Sequence, residues 1–83
     1  MSEERVDVVE VRVRGVLARV LGMPMEGITD EASSETIATW DSLRHISLIL
    51  ELEEAFSVRF SGEEIVEMLS LKEIVGRLRH RGF

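Results

Sequence analysis

Cysteine is absent from the 83 residues, which excludes a disulfide framework, a thiolate metal site and a cysteine nucleophile. Any thiol chemistry performed by this chain needs an imported group. Long apolar runs are also missing: the stretch Leu48-Ile49-Leu50 is as long as they get, far short of the ~20 residues that span a bilayer. The start, Met1-Ser2-Glu3-Glu4-Arg5, lacks the basic opening and apolar centre of a secretory signal, so the expectation is a cytoplasmic protein with no membrane partner. Proline occurs once and glycine six times within a composition 45% hydrophobic and 31% charged, which excludes collagen-like, low-complexity and disordered classes. What remains is a single folded domain, 1–83, near the size at which one hydrophobic core becomes thin.

Positive charge is scarce where it would matter for phosphate backbones. Sixteen acids face ten lysines and arginines, a formal charge of -6. Residues 20–71 carry eleven acids against only Arg44 and Arg59, leaving the two ends net basic. Nucleic acid is therefore a poor candidate partner for this middle segment, with no nucleic-acid partner expected, and a basic protein is a better one.

Apolar positions Val6, Val9, Val13, Val16, Leu17 and Val20 recur with the spacing of one helix face, predicting a first helix over residues 3–21 closed by Gly22 and followed by Pro24. Periodicity then vanishes over residues 22–40, where turn formers collect. This segment reads as one long loop anchored by Ile28, Ile37 and Trp40, with Met23 and Met25 as gap fillers beneath it. Asp41 or Ser42 caps a second helix running to about residue 56. Ser61 with Glu64 and Ser70 with Glu73 form two capping boxes that open a short third helix and a fourth. The fourth directs Leu71, Ile74, Val75 and Leu78 inward and sets Arg77, Arg79 and Arg81 near its C-terminal end, where positive charge suits the dipole. The predicted fold is an all-α four-helix bundle with a long loop between helices 1 and 2 and a short third helix.

The second helix has apolar residues on two sides. With Leu43 at 0° and about 100° per residue, Leu48, Ile49, Leu52 and Phe56 fall within about 140–240°, an ordinary core face that His45 joins near 200°. Leu43, Ile46 and Leu50 fall on the opposite side, beside Ser47 and Glu54. A small globule cannot easily bury both, so Ile46 and Leu50 are expected to be partly exposed, while Leu43 can still be covered by the loop. An exposed apolar strip rimmed by Glu51, Glu53 and Glu54 suits docking: apolar area gives affinity and carboxylates steer a basic partner. Arg44, near 100°, lies too far from Glu51 for a helix pair, leaving its charge available to a partner.

Ser42 opens this helix and reads either as a cap or as a hydroxyl presented for modification, where free amides and the dipole favour a phosphate. The run Asp41-Ser42-Leu43, continuing through Ile46-Ser47-Leu48-Ile49-Leu50-Glu51-Leu52-Glu53-Glu54-Ala55-Phe56, resembles the second helix of the acyl carrier protein family. The likeness extends over nearly the whole chain, through Val58-Arg59-Phe60-Ser61 into a short acidic third helix. It implies an acyl-carrier bundle, freestanding and monomeric, that is not an enzyme. Ser42 would carry 4'-phosphopantetheine, installed by a phosphopantetheinyl transferase that directs the serine oxygen against the β-phosphate of coenzyme A. Acyl or aminoacyl groups would ride as thioesters on the terminal thiol, delivered to loading and processing enzymes. By the same resemblance, Asp41, Leu43, Ile46, Leu50, Glu51 and Glu54 meet these enzymes, and Ile65 and Met68 flank the arm.

Two departures qualify the likeness. Thr39 stands where the family often has glycine, and Arg44 stands where many fatty-acid carriers have an acid. With Trp40 and His45, these point to a specialised polyketide, peptide or related pathway rather than general fatty-acid synthesis. The alternative is a small helical interaction module whose Ser42 is never modified. A hydrolase built on Ser42 and His45 is disfavoured because no carboxylate is set to orient the imidazole. The sequence shows no metal-ligand spacing, and Glu63, Glu64 and Glu67 read as a solvated helix face.

Overall fold

The computed structural model describes residues 7–83. Four α-helices follow one another: α1 (Val8–Leu21), α2 (Ser42–Phe56), α3 (Gly62–Glu67) and α4 (Leu71–His80). Among the described residues, extended pairing is confined to an isolated antiparallel bridge between Ser33 and Ser70, so the fold is the all-α bundle the sequence predicts. No helix among these residues is long and apolar enough to cross a membrane.

α1 begins later than its periodicity suggests. Asp7 is extended and its carboxylate accepts from the Glu10 amide at 3.2 Å, so this local cap sets the boundary and the first helical residue is Val8. The predicted part before it, residues 3–6 with Val6 among them, lies outside the described residues. Val13, Val16, Leu17, Ala18 and Leu21 are buried, and Val9 and Val20 are half-buried against them. Gly22 closes the helix at φ 70°, a left-handed conformation in which a side chain would be strained.

The core joins that face to Leu48, Ile49, Leu52 and Phe56 of α2 and to Leu71, Ile74 and Leu78 of α4. Val75 is half-buried. Each large aliphatic side chain so enclosed contributes roughly 1.5–3 kcal/mol relative to exposure. The connection between α1 and α2 is anchored as expected by Ile28, Ile37 and Trp40, all buried. It is not wholly irregular: a single 3-10 turn spans Met25–Gly27. Arg14 donates to the Ile28 carbonyl and pairs with Glu10 and Asp30, tying the connection to α1. Backbone bonds from Ser34 to the Leu69 carbonyl and from Leu71 to the Ala32 carbonyl tie it to the start of α4. Met23 packs against the core as a gap filler, whereas Met25 is exposed because the 3-10 turn rotates it outward.

Ser61 and Glu64 form the complete predicted capping box. At α4 only half of one forms. Ser70 accepts from the Glu73 amide at 3.1 Å, but the Glu73 carboxylate leans toward Arg77 at 4.0 Å instead of returning to the cap. The acids of α3 are not a purely solvated face either: Glu64 pairs with Arg81 at 2.8 Å and Glu67 pairs with Arg77, linking α3 to α4. The Ser61 amide and the Arg81 guanidinium hold the Glu64 carboxyl below its usual range. Its support of the fold is therefore present above the ordinary carboxylate pKa and lost as pH falls through the lowered one.

α2 ends on Ser57 at φ 54°, a left-handed conformation held by a non-glycine residue whose amide donates to the Glu53 carbonyl. Ser57→Gly is expected to raise stability by about 0.5–1 kcal/mol, seen as a rise of a few degrees in thermal midpoint. A lowered midpoint would show that the serine is not strained there.

Candidate functional site

Trp40, buried at the end of the connection, fixes where α2 starts. Asp41 takes the cap: its Oδ1 accepts from the Arg44 amide at 2.9 Å, and its carbonyl accepts from the His45 amide at 2.9 Å. Ser42 is therefore the first helical residue, not the cap. Its side chain is exposed, and its hydroxyl makes no hydrogen bond among the described residues. The amides of Ser42 and Leu43 are likewise unbonded there, at the positive end of a 15-residue helix. Such a hydroxyl is open to a phosphoryl donor, and the adjacent amides favour the anion that would result.

The other described serines are set differently: Ser34 is half-buried, with its amide bonded to the Leu69 carbonyl. Ser33 accepts from the amides of Glu35 and Thr36, while Ser61 and Ser70 cap α3 and α4. Ser57 lies at the C-terminal, negative end of α2, and Ser47 in its middle, where backbone amides are spent within the helix.

A shallow cavity of about 350 Å³ adjoins Ser42, lined by Ser34, Trp40, Asp41, His45 and Leu69. His45 is 8% exposed and both ring nitrogens are engaged. Nδ1 accepts from Trp40 Nε1 at 3.1 Å, and Nε2 donates to the Ile65 carbonyl at 2.8 Å. It is thereby withheld from Ser42 as a base. The described residues contain no cluster of three or more metal-ligating side chains.

Leu43, Ile46 and Leu50 are 78%, 54% and 60% exposed, so the loop does not cover Leu43. Ser47 and Glu54 are exposed beside them. Other residues are placed differently from expectation. Glu51 pairs with Arg19 of α1 at 2.7 Å. Glu53 is half-buried and accepts from the Phe60 amide at 2.9 Å, a structural duty rather than a docking one. Arg44 is not unpaired: its guanidinium lies 3.7 Å from Asp41 Oδ2 and 3.5 Å from the Thr39 carbonyl, three and five residues back rather than forward toward Glu51. Thr39 itself donates to the Leu21 carbonyl at 3.0 Å, fastening the loop to the end of α1.

On α3 the two expected residues part company. Ile65 is half-buried, but Met68 is 0% exposed, because the chain turns at the end of α3 and inserts it into the core. Met68 offers no side-chain surface to an arm or a partner. Exposed apolar area on this side comes instead from Val66 and Leu69. Leu69, just before the Ser70 cap, stands out in sequence only as an apolar residue outside any helix face, and nothing in the sequence marks Ser34.

With this geometry in place, the comparisons are specific. Residues 11–78 match the family model described as phosphopantetheine attachment site. The chain is 34% identical over 65 residues to the acyl carrier protein of Syntrophobacter fumaroxidans, covering 78% of this chain and 80% of that one. It is 34% identical over 64 residues to that of Rubrobacter xylanophilus, covering 77% and 79%. With the acyl carrier protein of Desulforapulum autotrophicum, identity is 28% over 74 residues, covering 88% and 96%.

The capping geometry separates two neighbouring residues. Asp41→Ala is expected to lower stability by about 1 kcal/mol, whereas Ser42→Ala stays within about 0.5 kcal/mol of the parent in chemical denaturation. Equal losses would mean that Ser42 shares the cap.

Proposed function

The chain belongs to the acyl carrier protein family, and on that premise we propose that Ser42 is where its prosthetic group is attached. The group is a covalent 4'-phosphopantetheine, and the protein is a carrier, not an enzyme. One observation carries the choice of residue: the Ser42 hydroxyl is exposed and, among the described residues, unbonded on the first turn of α2, because Asp41 caps the helix. The residues present fit the group. The amides of Ser42 and Leu43 and the positive helix end suit its phosphodiester, and the cavity walled by Trp40 and Leu69 adjoins the attachment point. When attached, the group supplies the terminal thiol that a cysteine-free chain lacks.

Modifying and acyl-processing enzymes are the partners that family membership implies. In the proposed encounter, Leu43, Ile46 and Leu50 supply the apolar contact, with Ser47 and Ile65 at its edge. Glu54 steers a basic surface, assisted by Asp41 and Glu51, whose exposed ion pairs are weak enough to be exchanged. The function is that of a monomeric single-domain carrier, 1–83, shuttling acyl or aminoacyl cargo in the cytoplasm. The finer assignment is to a specialised polyketide, peptide or related pathway, and Arg44 supports it. A guanidinium beside Asp41 puts positive charge on the turn that presents Ser42, which penalises enzymes whose basic surfaces suit acidic carriers.

Incubating the protein with coenzyme A and a broad-specificity phosphopantetheinyl transferase tests the attachment. The parent should gain the mass of one phosphopantetheine, and Ser42→Ala should gain none. Modification of that variant, at Ser47 for instance, would overturn the assignment. Pathway selectivity has its own test: Arg44→Glu should be loaded several-fold faster than the parent by a fatty-acid synthase transacylase. An unchanged rate would leave Arg44 as ordinary surface.

A further inference from the structure

α3 is the least embedded helix of the bundle. None of its six residues is fully buried. Its attachment comes from the half-buried Ile65, the inserted Met68 just past its end, and the exposed pairs Glu64–Arg81 and Glu67–Arg77. Exposed ion pairs contribute little. Toward α2, a single hydrogen bond exists among the described residues, from His45 Nε2 to the Ile65 carbonyl.

That bond is tied to a second one. A backbone carbonyl only accepts, and an indole N–H only donates. With Ile65 on one side and Trp40 on the other, both bonds form only if the imidazole is neutral and carries its proton on Nε2. In the other neutral tautomer, Nδ1–H meets the indole donor and Nε2 meets the carbonyl lone pairs, so both bonds are lost. Burial makes this mismatch costly. The imidazole thus joins three segments around Ser42: the end of the long loop, the first turn of α2, and α3. Trp40 and His45 are also walls of the cavity beside Ser42.

We propose that His45 is a positioning residue for the carrier's reactions. As the Nε2–H tautomer it latches Trp40 and α3 to the start of α2, fixing the surface that an enzyme approaching Ser42 must recognise. The functional half of this inference rests on Ser42 being the modified residue. The latch itself does not.

The test uses the full chain labelled with 15N-histidine, amide exchange, and the transferase reaction with coenzyme A. In the parent, long-range 1H–15N spectra should show the Nε2–H tautomer at His45. His45→Leu removes both bonds and should speed exchange of the Ile65, Val66 and Glu67 amides at least ten-fold, with core amides of α1 and α4 unchanged. It should also raise the transferase KM for the carrier several-fold while kcat holds. His45→Gln, whose amide can reach the Ile65 carbonyl, should recover most of both losses, and Trp40→Phe should show a smaller loss than His45→Leu. An Nδ1–H tautomer in the parent, or α3 exchange and KM unchanged in His45→Leu, would overturn the proposal. A parent that the transferase leaves unmodified would strike the assignment of Ser42 instead, with the latch still judged by tautomer and exchange.

Discussion

One helix carries more apolar surface than the domain has core to cover. α2 has apolar residues around most of its circumference, yet the core takes in only Leu48, Ile49, Leu52 and Phe56 among its large apolar side chains. The opposite stripe of Leu43, Ile46 and Leu50 stays in water. Leaving such side chains exposed forgoes roughly 1.5–3 kcal/mol each, and that unspent burial is what a docking enzyme can recover. The stripe begins one residue after Ser42, so the surface an enzyme would grip adjoins the residue on which it would act.

The first turn of α2 divides three tasks among consecutive residues. Trp40 anchors the backbone in the core, Asp41 satisfies the helix end, and the Ser42 hydroxyl is left unbonded among the described residues. Three residues on, His45 points inward and takes part in the packing rather than the chemistry. A serine beside a histidine could suggest nucleophilic catalysis, but the imidazole is already held on both nitrogens. The chain presents a hydroxyl without activating it, as suits a protein that other enzymes modify and load.

Local rules were legible in the sequence because they concern residues three or four apart. The buried face of α2 and the Ser61 capping box follow from periodicity and a short-range bond, and Ile28, Ile37 and Trp40 stand out as bulky apolar residues among turn formers. The apolar period alone does not place the start of α1, which the Asp7 cap on Glu10 sets within the described residues. Contacts between distant segments were not legible: Glu51 with Arg19, Glu53 with the Phe60 amide, Glu64 with Arg81 and His45 with the Ile65 carbonyl. Charge counting sees these acids as available, whereas packing assigns several of them partners. Met68 fails for a related reason. Its helical phase groups it with Ile65, which is half-buried against the core, and the turn after Glu67 carries Met68 fully inside.

Site mapping on the modified protein tests most directly whether Ser42 bears the prosthetic group. Trypsin releases residues 20–44 as one peptide, which holds Ser33, Ser34 and Ser42 together with three threonines. Fragmentation of this peptide from the phosphopantetheine-bearing protein should place the added mass between Asp41 and Leu43. Placement on Ser33 or Ser34, or on the peptide carrying Ser47 and Ser57, would contradict the account.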